Sequence, residues 1–175
     1  PYRFWGNRKP ENRAGGLLRV LNAADARTTG ETTATIRLYG PIDSWGGYWG
    51  TSAKEVAKTL DELPDTIENI VLRINSPGGE AWEGMAILNL LRAHSAQVMA
   101  VVDGIAASSA SFIAAGCEET VMSPGSQMMI HDAWAFAYGN ADVMAKAGQM
   151  LDSTSNSIAA IYAEAAGGAP EAWRQ

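Results

Sequence analysis

A chain of 175 residues, 47% apolar and 18% charged, is long enough for one domain with a sizeable core. Its formal charge of −6 and the lack of a basic run exclude a nucleic-acid or anionic-membrane partner, because nothing is there to neutralise phosphates. One cysteine, Cys117, excludes an internal disulfide framework, fits a reducing compartment and reads as a packed small residue rather than a nucleophile.

No apolar run reaches the roughly 18 residues of a membrane span. Residues 1–16 are polar, aromatic and basic, without the hydrophobic stretch of a secretory signal. They read as a flexible arm ahead of a single domain over 17–175, and a cytoplasmic location is expected. No internal repeat or low-complexity tract is present.

Residues 17–21 and 33–39 read as strands, and the polar stretch between them, with Gly30, suits a hairpin. Gly40-Pro41 stops the second strand, and the aromatic loop 44–50 follows. Thr51 or Ser52 can cap a helix over 53–62 with Val56, Leu60 and Leu63 inward. The apolar run 67–74 is a strand that Asn75 to Gly79 breaks. A helix follows over 81–93, with Met85, Leu88 and Leu91 inward. Residues 98–102 form a buried strand ended by Asp103-Gly104. The small-residue stretch 106–115 is a helix that Gly116 closes as the residue past its end. Short strands over 119–122 and 127–131 flank the turn Ser123-Pro124-Gly125, and 134–138 adds one more. The longest helix spans 141–166 and stops at Gly167-Gly168.

Strands alternating with helices favour an α/β architecture with a parallel sheet and right-handed crossovers. Reactive groups in such sheets gather beyond the carboxyl ends of the strands. Gly79, Ser108 and His131 each fall at such an end. Ser76-Pro77-Gly78-Gly79 leaves backbone N–H groups unpaired and lets a substrate approach without meeting a Cβ, although a tight strand-to-helix turn needs the same residues. Ser108, near a helix start between small residues, is a candidate nucleophile; an N-cap or a packing serine is the plainer alternative, and Ser109 and Ser111 compete for the role. His131 is a candidate base or an ordinary edge histidine. His94, in the last turn of its helix, reads as a surface residue.

Taken together, these motifs resemble the proteolytic subunit of Clp protease. Ile-Asn-Ser-Pro-Gly-Gly at 74–79, then Gly84-Met85-Ala86-Ile87, is similar to that family's oxyanion strand and helix. Gly104-Ile105-Ala106-Ala107-Ser108, continuing to Ala114-Ala115-Gly116, is similar to its nucleophile helix. Met129-Ile130-His131, followed by Gly139, Asp142 and a long helix, resembles its histidine and the handle that joins two rings. The likeness covers about residues 34–175. The region around Val20 to Ala24 looks more like the related head-maturation proteases of tailed phages, which would place the chain in a host cytoplasm.

The resemblance implies a crotonase-like fold of repeated β-β-α units with a handle strand and a long helix. It also implies a serine endopeptidase with Ser108 as nucleophile and His131 as base. The N–H groups of Gly79 and Ser109 would hold the oxyanion, with Gly78 against the substrate. No cofactor or metal is implied. The expected partners are a protein or peptide substrate and further copies of the chain in rings, with an ATPase or capsid and scaffold proteins as candidates, and with no nucleic acid or membrane. The family's orienting aspartate is expected a few positions past Gln175, and this form is expected to be weak without it; Asp132, a neighbour of His131 on a strand, would face the other way. Asp142 and Asp152 belong to the handle and its helix. The aromatic loop and Trp82 suit core or interface packing, or a dock for a partner; Trp134 and Phe136 suit the substrate path or a ring–ring contact. The alternatives are a crotonase-like acyl-CoA enzyme, a serine–lysine relative of signal-peptide peptidases, and a ring-forming scaffold with a decayed site.

Overall fold

The structure, a computed structural model, describes Arg3–Phe4 and residues 32–174. The expected strand over 17–21, its hairpin and the region around Val20 to Ala24 lie outside the described residues. In chain order the strands are β1 (Arg3–Phe4), β2 (Thr33–Tyr39), β3 (Asn69–Ser76), β4 (Gln97–Ala107), β5 (Glu119–Met122) and β6 (Gln127–Met129). The helices are α1 (Ala53–Asp61), α2 (Ala81–Ala93), α3 (Ser109–Ala115) and α4 (Ala141–Ala166), and a 3₁₀ turn covers Pro170–Trp173. Among the described residues every strand pair is parallel, in the order β1-β5-β4-β3-β2, with β6 on the far half of β4. Two residues of the expected arm, Arg3–Phe4, thus pair with β5.

Side chains alternate across the central strands, so one face carries Ile36, Leu38, Ile70, Leu72, Ile74, Val98, Ala100 and Val102, all buried. Ile87, Leu88 and Leu91 of α2 and Phe112 and Ile113 of α3 complete that core. Truncating a fully buried phenylalanine such as Phe112 to alanine costs about 3–5 kcal/mol. The opposite face is polar near the strand ends. There Arg73 forks onto the Asp103 carboxylate, which also accepts from Tyr39 Oη at 2.6 Å. The Asp103 partner raises the Arg73 pKa above its ordinary value. Helix α1 begins where Ser52 and Glu55 form a reciprocal capping box, and Val56, Leu60 and Leu63 are buried, as the pattern predicts.

Several boundaries differ from expectation for physical reasons. Strand β3 runs through Asn75 to Ser76 and stops at Pro77, which has no N–H to donate. Strand β4 does not end at Asp103-Gly104. Residues 103–105 bulge opposite the single Asn75, and pairing resumes at Ser76 and Ala106. Gly104 permits this, since a Cβ there would lie 2.6 Å from Asn75 Oδ1. Helix α3 therefore starts at Ser109, not at 106. Gly116 is the C-cap with a right-handed φ of −82°, and its small size is needed because a Cβ would sit 2.6 Å from Leu88 Cδ2. Strand β6 ends at Met129, short of His131. The expected strand over 134–138 is not formed: these residues join no ladder among the described residues. His94 is half-buried, its Nδ1 accepting from Ala96 N–H at 3.1 Å. The long helix spans the expected 141–166 and ends at Gly167.

Candidate functional site

The far half of β4 brings the three motifs together. On one side β3 pairs Ser76 with Ala106. On the other, β6 pairs Met129 with Ala107, and Ser108 N–H donates to Met129 O at 2.9 Å. Ser108 thus leaves the end of β4 between the glycine turn that follows β3 and the His131 segment that follows β6.

Ser108 has φ 52° and ψ −125°, and no other described residue apart from glycines has a positive φ. Such a conformation costs about 1–3 kcal/mol and persists only where its surroundings impose it. Here they do. Gly78 backs directly onto the turn: a Cβ on it would lie 2.4 Å from Ala107 O and 2.8 Å from Ser109 N. Gly79 is equally constrained, since a Cβ would lie 2.0 Å from Ile42 O. Ile42 N–H donates to Gly78 O and Glu80 N–H to Ile42 O, so the main chain on both sides of Gly79 is pinned. Gly79 itself is exposed, and its N–H has no acceptor among the described residues.

A cavity of about 590 Å³ opens at this point. Ser108, Ser109, Gly78, Gly79 and His131 all line it, with Phe112, Ile158 and Trp134 as apolar wall. Ser108 and His131 are each half-buried. Ser111 is fully buried, with its Oγ bound to Ser108 O and Tyr162 Oη, and Ser109 Oγ is buried as well. Of the three serines only Ser108 presents an accessible hydroxyl.

His131 Nδ1 lies 2.6 Å from the carbonyl oxygen of Asp132. A carbonyl only accepts, so Nδ1 carries a proton, and in the neutral ring Nε2 is the nitrogen with the free lone pair. No hydrogen bond joins Ser108 Oγ to His131 Nε2, and neither atom has a hydrogen-bond partner among the described residues, although both residues line the cavity; catalytic hydrogen bonds often form fully only once substrate binds. The Asp132 carboxylate turns away and accepts from Arg174 Nε at 2.9 and 3.0 Å. Arg174 also donates to Asn156 and Asp152 of α4, and Ser155 Oγ accepts from Ala133 N–H at 2.9 Å. These bonds fasten the segment after His131 to the long helix. The carboxylate partners raise the Arg174 pKa above its usual value. Arg174 and Tyr162 were not legible as site residues, and Ser111 reads in the sequence only as a competing nucleophile; the one available signal for the helix contribution was the spacing of Ser155, Ile158 and Tyr162 along one buried face of α4.

The aromatic loop is not core: Trp45, Tyr48, Trp49 and Trp82 are exposed, as are Trp134 and Phe136, which meet edge to face at 5.5 Å. Cys117 is half-buried; its Sγ donates to Ile113 O at 3.3 Å, and burial pushes its thiol up to about 12, which disfavours the thiolate form. Among the described residues no group of three or more His, Cys, Asp or Glu side chains is arranged to hold a metal. No helix among them is long and apolar enough to cross a membrane.

A model of the Clp protease family matches residues 26–175, and the chain belongs to that family. It is similar to the ATP-dependent Clp protease proteolytic subunit of Pleurastrum terricola, 32% identical over 105 residues that make up 59% of this chain and 54% of that protein. The subunit of the same name from Ligilactobacillus salivarius strain UCC118 is 34% identical over 108 residues, 61% of this chain and 55% of the relative. That of Oryza sativa subsp. indica is 41% identical over 71 residues, 39% and 33% of the two chains. The chain spans about half the length of the first two curated relatives.

Proposed function

We propose that this chain carries the hydrolytic site of a serine endopeptidase with a crotonase-like fold. Ser108 Oγ attacks the scissile carbonyl carbon while His131 Nε2 takes its proton. The C–N bond breaks as His131 returns the proton to the leaving amine. Water then attacks the acyl-enzyme ester, again with His131 as base, and releases the new carboxylate and free Ser108. The N–H groups of Gly79 and Ser109 hold the oxyanion, and each such donor supplies about 2.7–4 kcal/mol in comparable hydrolases. Gly78 lets the substrate main chain lie against the turn.

The observation that carries this reading is the convergence on one cavity of the strained Ser108, the pinned glycine turn and His131 in its Nδ1–H tautomer. Asp43 and Glu80 also line the cavity, as an acyl-CoA enzyme working through carboxylates would need. Their oxygens are held by Trp45 N–H and by Ser44, which favours the serine route. The relatives, ATP-dependent Clp protease proteolytic subunits, support a peptide substrate and an ATP-dependent partner; association of copies into rings is part of the same proposal. Capsid or scaffold processing rests only on residues outside the described ones, and the peptidase reading does not depend on it.

Hydrolysis of a panel of fluorogenic peptides tests the proposal. Turnover should fall at least about 10³-fold in Ser108→Ala and in His131→Ala. Turnover retained in Ser108→Ala would falsify the assignment, and binding of CoA by a protein without peptidase activity would favour the acyl-CoA alternative.

A further inference from the structure

The peptide unit that joins Ser108 to Ser109 has two ends. Its C=O belongs to Ser108 and points to the buried Ser111; its N–H belongs to Ser109, which lines the cavity, and in a planar trans peptide it points the opposite way. That carbonyl accepts two hydrogen bonds, from Ser111 N–H at 2.9 Å and from Ser111 Oγ at 2.5 Å. Ser111 has one hydroxyl proton, and it is committed to Ser108 O. The 2.6 Å contact between Ser111 Oγ and Tyr162 Oη is therefore donated by Tyr162. Ser111 is completely buried and Tyr162 nearly so. Tyr162 comes from α4 and stacks at 5.8 Å on Trp173, whose Nε1–H donates to Gly167 O.

We infer that Tyr162 and Ser111 are positioning residues for the oxyanion donor. The chain Tyr162 Oη–H to Ser111 Oγ–H to Ser108 O draws electron density toward the carbonyl end of the peptide unit, so the N–H of Ser109 becomes a stronger donor. The same bonds fix the rotation of that peptide plane, which the strained Ser108 backbone would otherwise relax. Neither hydroxyl touches the substrate; both act through Ser109 N–H. Their effect is largest when the substrate oxygen carries negative charge, so they stabilise the tetrahedral intermediate more than the bound peptide.

This rests on the peptidase proposal above, and the test separates the two. Tyr162→Phe removes one oxygen and keeps the ring on Trp173; Ser111→Ala removes the relay itself, and Ser111→Cys leaves a weaker donor in its place. Peptide hydrolysis, inhibition by a peptide boronate and labelling of Ser108 by a phosphonate are measured for each, with thermal unfolding as the check on folding. The expected result is a fall in kcat of about 10-fold in Tyr162→Phe and Ser111→Ala, with KM moving less than about 2-fold and boronate affinity falling in step with kcat. Ser111→Cys should lie between, and the double variant should be no worse than Ser111→Ala. Tyr162→Phe with wild-type kcat and boronate affinity overturns the relay and leaves the peptidase standing. A wild-type protein with neither turnover nor labelling at Ser108 overturns both.

Discussion

Gly78 packs so closely under Ser108 that a methyl group on it would sit 2.7 Å from Ser108 Cβ. The strained φ of Ser108 and the left-handed φ of 82° at Gly78 are two halves of one packing arrangement. Gly78→Ala should therefore cut peptide turnover at least about 10-fold, through displacement of Ser108 and the Ser109 N–H. Kinetics and thermal unfolding of this variant, side by side, provide the check; wild-type turnover would mean that the contact does not set the site.

Arg174 reaches His131 only through the main chain of Asp132. Its guanidinium holds the Asp132 carboxylate while the Asp132 carbonyl holds His131 Nδ1. Arg174→Ala should lower kcat about 3- to 10-fold, and high salt should partly reproduce the loss because the ion pair is only half-buried. Activity assayed at low and high NaCl distinguishes this from an ordinary surface pair, whose removal changes nothing measurable.

Much of this arrangement was legible in the sequence. The placement of the glycine turn, Ser108 and His131 as candidates was readable because each follows the end of a parallel strand, where such sheets leave room for a site. The turn before α2 and the length of α4 were equally readable. The bulge at 103–105 was not, because Asp-Gly commonly marks a stop and only the Asn75 contact reveals a continuing strand. Residues 134–138 have a strand's composition, but a strand also requires a neighbour to pair with, which composition does not supply. The Tyr162–Ser111 contact joins residues 51 positions apart, and no local pattern encodes it.

Cys117 should resist alkylation in the native protein. With its thiol pushed up to about 12, iodoacetamide at pH 8 should label it only after denaturation. The sign for stability follows: the unfolded thiol ionises first, near pH 8.5, so stability is full below that pH and declines as pH rises toward 12. Mass spectrometry of native and denatured samples reads the labelling directly; rapid native labelling would refute the burial argument.

Glu55 both caps α1 and anchors the aromatic loop, accepting from Ser52 N–H and from Gly47 N–H at 2.9 Å each. The Ser52 backbone bond, more than the Gly47 bond, holds its carboxyl below the usual carboxylate range. A depressed folded pKa contributes stability above the unfolded value of about 4.3 that is lost as pH falls through the folded value. Ser52→Ala should cost about 1 kcal/mol at neutral pH, and Glu55→Gln should flatten the acid limb of the stability profile. Urea titrations between pH 3 and 7 would show both, and an acid limb unchanged in Glu55→Gln would rule out the linkage.

The most direct measurement is covalent labelling by a serine-directed phosphonate, followed by peptide mapping of the modified residue. The account predicts one adduct, on Ser108 Oγ, abolished in Ser108→Ala and slowed by orders of magnitude in His131→Ala. An adduct on another serine, or labelling of Ser108 indifferent to the loss of His131, would contradict it.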